Sequence, residues 1–196
     1  MNNKQIADYA TAGIDGHVLV KDYETGEILL DKHNAINYVN MAVALASLLA
    51  NELEEESNAT WNITNIAYGN GASTVDVSGS VAYKTPDVQT TTGELYNETY
   101  RKSVADVDSE NKIDVVKYAG KTFADVVVTS TLDYAEPADA DTLDQASDFA
   151  DDYIFDELGL VTDSGHFLTH IVFHPIQKSM NRKIQVIYTL RISAGS

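Results

Sequence analysis

Apolar and polar residues alternate strictly near the end of the chain. Ile184, Val186, Tyr188, Leu190 and Ile192 are interleaved with Lys183, Gln185, Ile187, Thr189 and Arg191. That period of two marks a strand with one buried and one mostly solvated face. The same period runs through residues 122–134, where Val126, Val128, Ser130, Leu132 and Tyr134 share a face. Residues 14–20 and 27–32 predict a hairpin around Tyr23-Glu24-Thr25-Gly26, with glycine where a positive φ is needed. Further strands are predicted over 62–68, 153–161 and 166–174, with weaker ones near 80–84 and 99–106. The strand from Asn62 stops at Gly69-Asn70-Gly71, which reads as a tight turn. Residues 72–112, rich in Thr, Ser, Gly and Asp, form a loop-rich middle.

One segment has the helical period. From about Ala35 to Leu53, Ile36, Val39, Val43, Ala46, Ala50 and Leu53 follow helical spacing, with Asn34 as the expected N-cap. Met41, Leu45, Leu48 and Leu49 fill the other side. A helix apolar on nearly all faces is expected to be buried, in its own core or against a partner subunit.

These elements predict a mainly β sandwich, with a jelly roll as its candidate topology, and one buried α-helix near the N-terminus. No Pro- or Gly-rich linker divides the chain, so residues 1–196 are read as a single domain. The chain has no cysteine, which excludes disulfides, thiolate metal sites and cysteine nucleophiles. The net charge of −17 disfavours nucleic acid and anionic membranes as partners. Much of that charge is local. Residues 122–177 contain no lysine or arginine and carry 12 acids, whereas Lys178, Arg182, Lys183 and Arg191 follow closely. The start, MNNKQIADYATAGIDG, has no apolar stretch of the secretory kind. The longest apolar run, Met41–Ala50, is half of the about 20 residues that span a bilayer. A protein made and kept in a cytoplasm-like compartment is expected.

Three groups of residues are candidates for chemistry. Asp139, Asp141, Asp144 and Asp148 could supply oxygens to calcium, but the EF-hand spacing is missing. Their spacing also suits the wet face of a short helix over 139–150, within an acidic segment spanning 136–152. His166, His170 and His174 are four apart, but Gly165, Pro175 and the β-branched and aromatic neighbours predict a strand. Four strand residues span about 13 Å, too far for one ion. Polar contacts or a pH-sensitive interface are the expectation there. Asp156 and Glu157 are adjacent acids in an apolar strand, so they are expected on opposite faces, with one of them buried beside Arg182 or Lys178. Finally, no phosphate-binding loop and no nucleophile elbow occurs. No cofactor is expected, and no catalytic residue is assigned.

Three segments carry a resemblance: GHVLVKDYETGEILLDKHNAINYVNMAVALASLLA, then IAYGNGAS, then FDELGLVTDSGHFLTHIVFHPIQKSMNRKIQVIYTLRI. Together they resemble virion structural proteins of tailed bacteriophages, over residues 16–75 and 153–192. The middle of the chain contributes nothing to the likeness. The resemblance implies a non-enzymatic subunit of the neck, tail or baseplate, or else a capsid decoration protein, located in the virion. It also implies a ring or trimer, in contact with other virion proteins. On that reading the residues expected at interfaces are Met41, Leu45 and Leu49 of the helix and the cations Lys178, Arg182, Lys183 and Arg191, unless both sets are satisfied within one subunit. A calcium-dependent or carbohydrate-binding adhesin module, using the aspartates and the tyrosines of the middle, is the rival from another class. A hydrolase using Asp156 or Glu157 is the third.

Overall fold

A computed structural model describes residues 11–54, 57–105, 108–138 and 153–195. The mainly β sandwich expected from the alternation is what it shows. The chain begins with β1 (Thr11–Asp22), β2 (Ile28–His33) and a two-residue β3 (Ala35–Ile36), followed by α1 (Tyr38–Ala50). Next come β4 (Ile63–Gly69), β5 (Ser73–Val75), β6 (Val81–Tyr83), β7 (Glu98–Ser103) and β8 (Lys112–Lys117). The final strands are β9 (Phe123–Leu132), β10 (Tyr153–Thr162), β11 (Thr169–Lys178) and β12 (Ile184–Gly195). One five-stranded antiparallel sheet runs β2-β1-β12-β9-β8, and a second runs β3-β11-β10-β4-β7. β5 and β6 form a separate hairpin.

The alternating residues build the interior. Ile184, Val186, Tyr188 and Leu190 of β12 and Val128 and Leu132 of β9 meet Ile66 and Tyr68 of β4 and Ile171 and Phe173 of β11 in one core cluster. Two hydroxyl pairs cross it from sheet to sheet. Tyr68 Oη lies 3.0 Å from Ser130 Oγ, and Thr169 Oγ1 donates to Tyr188 Oη at 2.9 Å. Burial pushes both tyrosine hydroxyls far above the usual tyrosine range. They stay neutral and keep their bonds, which is how a hydroxyl is tolerated in a core. The β1–β2 turn has Gly26 at φ 73°, as its sequence required.

The helix differs from expectation at both ends. Ala35 and Ile36 pair with His170 and Thr169 of β11, so the helix starts later and Asn37, not Asn34, caps it. The Asn34 side chain instead lies over Gly16, where a Cβ would approach its Oδ1 to 1.8 Å. The helix ends at Asn51, held at φ 52°, before it reaches Leu53. Its buried residues are Asn40, Met41, Ala44 and Ser47. Val39, Val43 and Leu49, by contrast, are exposed. Two buried polar positions hid the true inner face from a hydrophobicity reading. β8 was not anticipated at all. Asp139, Asp141, Asp144 and Asp148, with the helix expected over 139–150, lie outside the described residues.

Gly159 in β10 is a point of close approach. A Cβ there would stand 2.7 Å from Phe167 Cδ1 and 2.8 Å from the Thr169 carbonyl oxygen. Because one of those atoms is backbone, Gly159→Ala is expected to lower unfolding free energy by about 2 kcal/mol. Urea denaturation with an unchanged m-value checks this.

Candidate functional site

The most unusual group of side chains lies where β10 breaks its alternation. Tyr153 and Phe155 point into the main core, and so do Leu158 and Leu160. Two consecutive residues between them, Asp156 and Glu157, therefore face away from that core together. The pairing of β10 with β11 shifts register at the same place, with Phe155 opposite Ile176 and Glu157 opposite Val172. The expectation that neighbouring acids point to opposite faces is corrected here, because a bulge breaks the period of two. Pro175 inside β11 is the sequence signal for it, since a proline within a strand marks a bulge or an edge.

Glu157 is fully buried. Its Oε1 accepts the Gly71 amide at 3.0 Å and the Asn97 amide at 2.9 Å. Its Oε2 accepts the Tyr96 amide at 2.9 Å and lies 3.0 Å from His170 Nε2. Asp156 accepts the Ala72 amide at 3.1 Å, the Ser73 amide at 2.8 Å and the Ser73 hydroxyl. Gly69 and Gly71 make this possible by their size. A Cβ on Gly69 would fall 2.6 Å from Glu157 Oε1, and one on Gly71 would fall 2.7 Å from the Asn97 amide nitrogen. The Gly69-Asn70-Gly71 segment is thus a place where backbone must approach a carboxylate closely.

His170 takes its tautomer from its surroundings. Its Nδ1 lies 2.9 Å from the Asp87 amide, which can only donate, so Nδ1 is the bare nitrogen. Nε2 then carries the proton and donates it to Glu157. The neighbouring Tyr96 ring is 5.5 Å away.

These groups hold down a strap. Residues 84–97 have no regular secondary structure and cross the outer face of the second sheet. Glu157 grips the strap at Tyr96 and Asn97, and His170 grips it at Asp87. From α1, Asn37 Nδ2 donates to the Thr90 carbonyl at 2.7 Å, and Asn40 Nδ2 donates to the Thr91 carbonyl at 3.2 Å. Leu95 of the strap then closes a small second core with Ala67, Val161 and Phe167. Backbone that lies on a sheet face without a ladder needs other partners for its polar groups, and these side chains supply them.

The two carboxylates respond to burial in opposite ways. Burial pushes Asp156 above the usual carboxylate range, and its hydrogen bonds only partly offset this. Burial acts on Glu157 in the same sense, but His170 and three amides outweigh it and hold Glu157 below its ordinary value. Glu157 is therefore the carboxylate of the pair whose charge its surroundings favour more. Its four donors occupy both oxygens, so its chemistry in this arrangement is to order backbone. The expected partners Arg182 and Lys178 take no part.

The structure scatters the other candidate residues. Met41 is a core residue and Lys178 is almost fully buried, which corrects the expectation that they face a neighbour. Burial pushes Lys178 down to about 8, and its Nζ donates to the Ser179 carbonyl at 3.2 Å. Leu45 is half-buried against the core, whereas Leu49 is 90% exposed. The three remaining cations have carboxylates in their own chain. Arg182 Nε donates to Asp22 at 2.7 Å, and Lys183 Nζ lies 2.7 Å from Glu110. Arg191 grips both oxygens of Asp125 at 2.8 Å while stacking 4.2 Å over Phe123. The histidines do not converge either. His166 stacks on Trp61 at 4.5 Å, and His174 Nδ1 meets the Tyr83 hydroxyl at 3.1 Å. Among the described residues no group of three or more His, Asp or Glu is placed to hold a metal ion. No helix among them is long and apolar enough to cross a membrane. No protein-family model, curated protein or solved structure matches the chain.

Two outcomes follow from this geometry. Glu157→Gln, which turns an amide group toward backbone donors, should cost about 3 kcal/mol, and Asp156→Asn only about 1 kcal/mol. Equal costs in urea melts would contradict the stronger stabilisation of charge at Glu157. The second outcome concerns Asp22. The Thr25 amide, then Arg182, hold its pKa at about 2 against an ordinary 3.8. A lowered folded-state value gives stability that is present above pH 3.8 and is lost as pH falls toward about 2. Asp22→Asn should flatten the stability profile over that window, read from urea midpoints.

Proposed function

We propose that this chain is a structural subunit of a tailed-phage virion, in the neck, tail or baseplate, and that it acts by self-assembly and by contacts with other virion proteins. The observation that carries the reading is the outer face of α1, where Leu49 is 90% and Tyr38 70% exposed. Apolar side chains standing together on a surface are the mark of a surface meant to be covered. The likeness of residues 16–75 and 153–192 to virion proteins supports the same reading. So does the use of the deepest ionisable groups, which order backbone around a rigid two-sheet frame. The frame offers a fixed scaffold for loops and a helix that meet neighbours.

The test is membership of the particle. Particles of the phage that encodes this chain are banded on a density gradient, treated with nuclease and analysed by mass spectrometry against quantified peptides. The chain is expected at a fixed copy number relative to the other virion proteins. Its absence from intact, infectious particles would overturn the proposal.

A further inference from the structure

The outer face of the first sheet carries two histidines directly opposite each other, His17 on β1 and His33 on β2. Next to them the Asn34 amide donates to the Gly16 carbonyl at 3.1 Å. Pair types alternate along an antiparallel ladder. His17 and His33 are therefore a non-hydrogen-bonded pair, the kind whose side chains stand closest. Their ring centroids are 5.5 Å apart, with the planes at 77°. Each ring also meets an aspartate of the other strand. His17 Nε2 lies 2.6 Å from Asp31 Oδ1, and His33 Nδ1 lies 3.2 Å from Asp15 Oδ1. Carboxylate, imidazole, imidazole and carboxylate thus form one zigzag across two strands.

An ionised carboxylate only accepts, so the ring nitrogen that meets it carries the proton. In a neutral ring the other nitrogen is then bare. His17 Nδ1 and His33 Nε2 are left with free lone pairs, and neither has a hydrogen-bond partner among the described residues. Histidines that bind metal rest their second nitrogen on a carboxylate in this way, which fixes the tautomer and raises the basicity of the ligand. The spacing fits too. With a metal–nitrogen bond of about 2.0–2.1 Å each centroid stands about 3.2 Å from the ion, and two rings at the tetrahedral angle are about 5.2 Å apart. Both side chains are open to solvent, His17 by 36% and His33 by 71%, so each ring can turn its bare nitrogen toward a shared ion. Arg191 lines the hollow beside Asp15 and His17, but Asp125 already holds its charge.

We propose that His17 and His33 form a two-imidazole site for a divalent ion of the late first transition row, with Asp31 and Asp15 orienting the rings and offsetting the charge. Two protein ligands are fewer than a closed structural site has, so water completes the coordination. Nitrogen ligands select against calcium and magnesium, which take oxygen. Among ions that accept imidazole, the general order of affinity puts copper(II) above nickel and zinc. The ion has a mechanical effect. β2 is the edge strand of its sheet and pairs only with β1, so a metal held by one residue of each strand clamps that edge. The site stands independently of the virion reading.

The test titrates copper(II) and zinc into the full chain by calorimetry, with copper paramagnetic resonance to count the nitrogen ligands. The wild type should bind one equivalent through two nitrogens. His17→Ala and His33→Ala should each abolish that equivalent, and Asp31→Asn should weaken it roughly 10-fold. Both histidines stand on the solvated face, so the metal-free variants should melt as the wild type does. His174→Ala, at an exposed histidine of β11, should bind as the wild type does. Zinc should raise the melting temperature of the wild type and leave that of His33→Ala unchanged. Calcium should not compete. The absence of a stoichiometric site in the wild type would overturn the proposal. So would binding that survives in the doubly substituted His17→Ala, His33→Ala chain.

Discussion

A carboxylate with no access to water needs partners for both of its oxygens, and Glu157 finds them in backbone that has no sheet to pair with. Its cost of burial is offset only when the Gly71, Tyr96 and Asn97 amides and His170 are all in place. Each of those amides belongs to a segment with no ladder of its own. The loop after β4, the end of the strap and the middle of β11 are thus tied to one side chain. Remove the charge and three separate pieces of chain lose their common anchor.

That anchor explains why β10, in the middle of the second sheet, is buried on both sides. β10 reads as an almost continuous apolar run, and nearly every residue in it is buried. One face packs on the other sheet. The other is covered by the strap, whose Leu95 joins Ala67, Val161 and Phe167. A strap of 14 residues with one buried leucine cannot be held by apolar contact alone. Polar side chains from the sheet and from the helix cap hold it: Asn37, Asn40, Glu157 and His170. The helix therefore has a second duty. Its buried face carries Asn40 beside Met41 and Ala44 because it grips the strap, while Val39, Val43 and Leu49 stay on the outside.

The first sheet is tied by a different device. Arg182, Lys183 and Arg191 each bridge elements distant in sequence, to Asp22, Glu110 and Asp125. Asp22 and Asp125 are buried, so each relies on its arginine to offset the cost of burial, while the arginines keep part of their hydration. Within a chain so rich in acid, such cations offset local repulsion where strands converge. The exposed face of α1 is the complement of this pattern, a region free of charge on an otherwise acidic molecule.

Alternation in β9 and β12, the Gly26 turn and the absence of cysteine were enough to read the sandwich and its first hairpin, because period and turn chemistry are local properties. The helix was legible as an element, but its ends and its inner face were not. β3 claimed Ala35 and Ile36 through pairing with a strand more than 130 residues away, and Asn40 was buried for bonds to the strap and to the Phe167 carbonyl. The carboxylate site was hidden for the same reason. Asp156 and Glu157 were visible as an oddity in an apolar strand, and Pro175 hinted at a bulge. Their joint direction, their amide partners and the tautomer of His170 depended on which loops the tertiary fold brought above them. The cations show the division most simply. Residue types and net charge could be counted from the sequence, but who neutralises whom was decided by proximity in space, since a charge finds its partner through distance and burial and not through order along the chain.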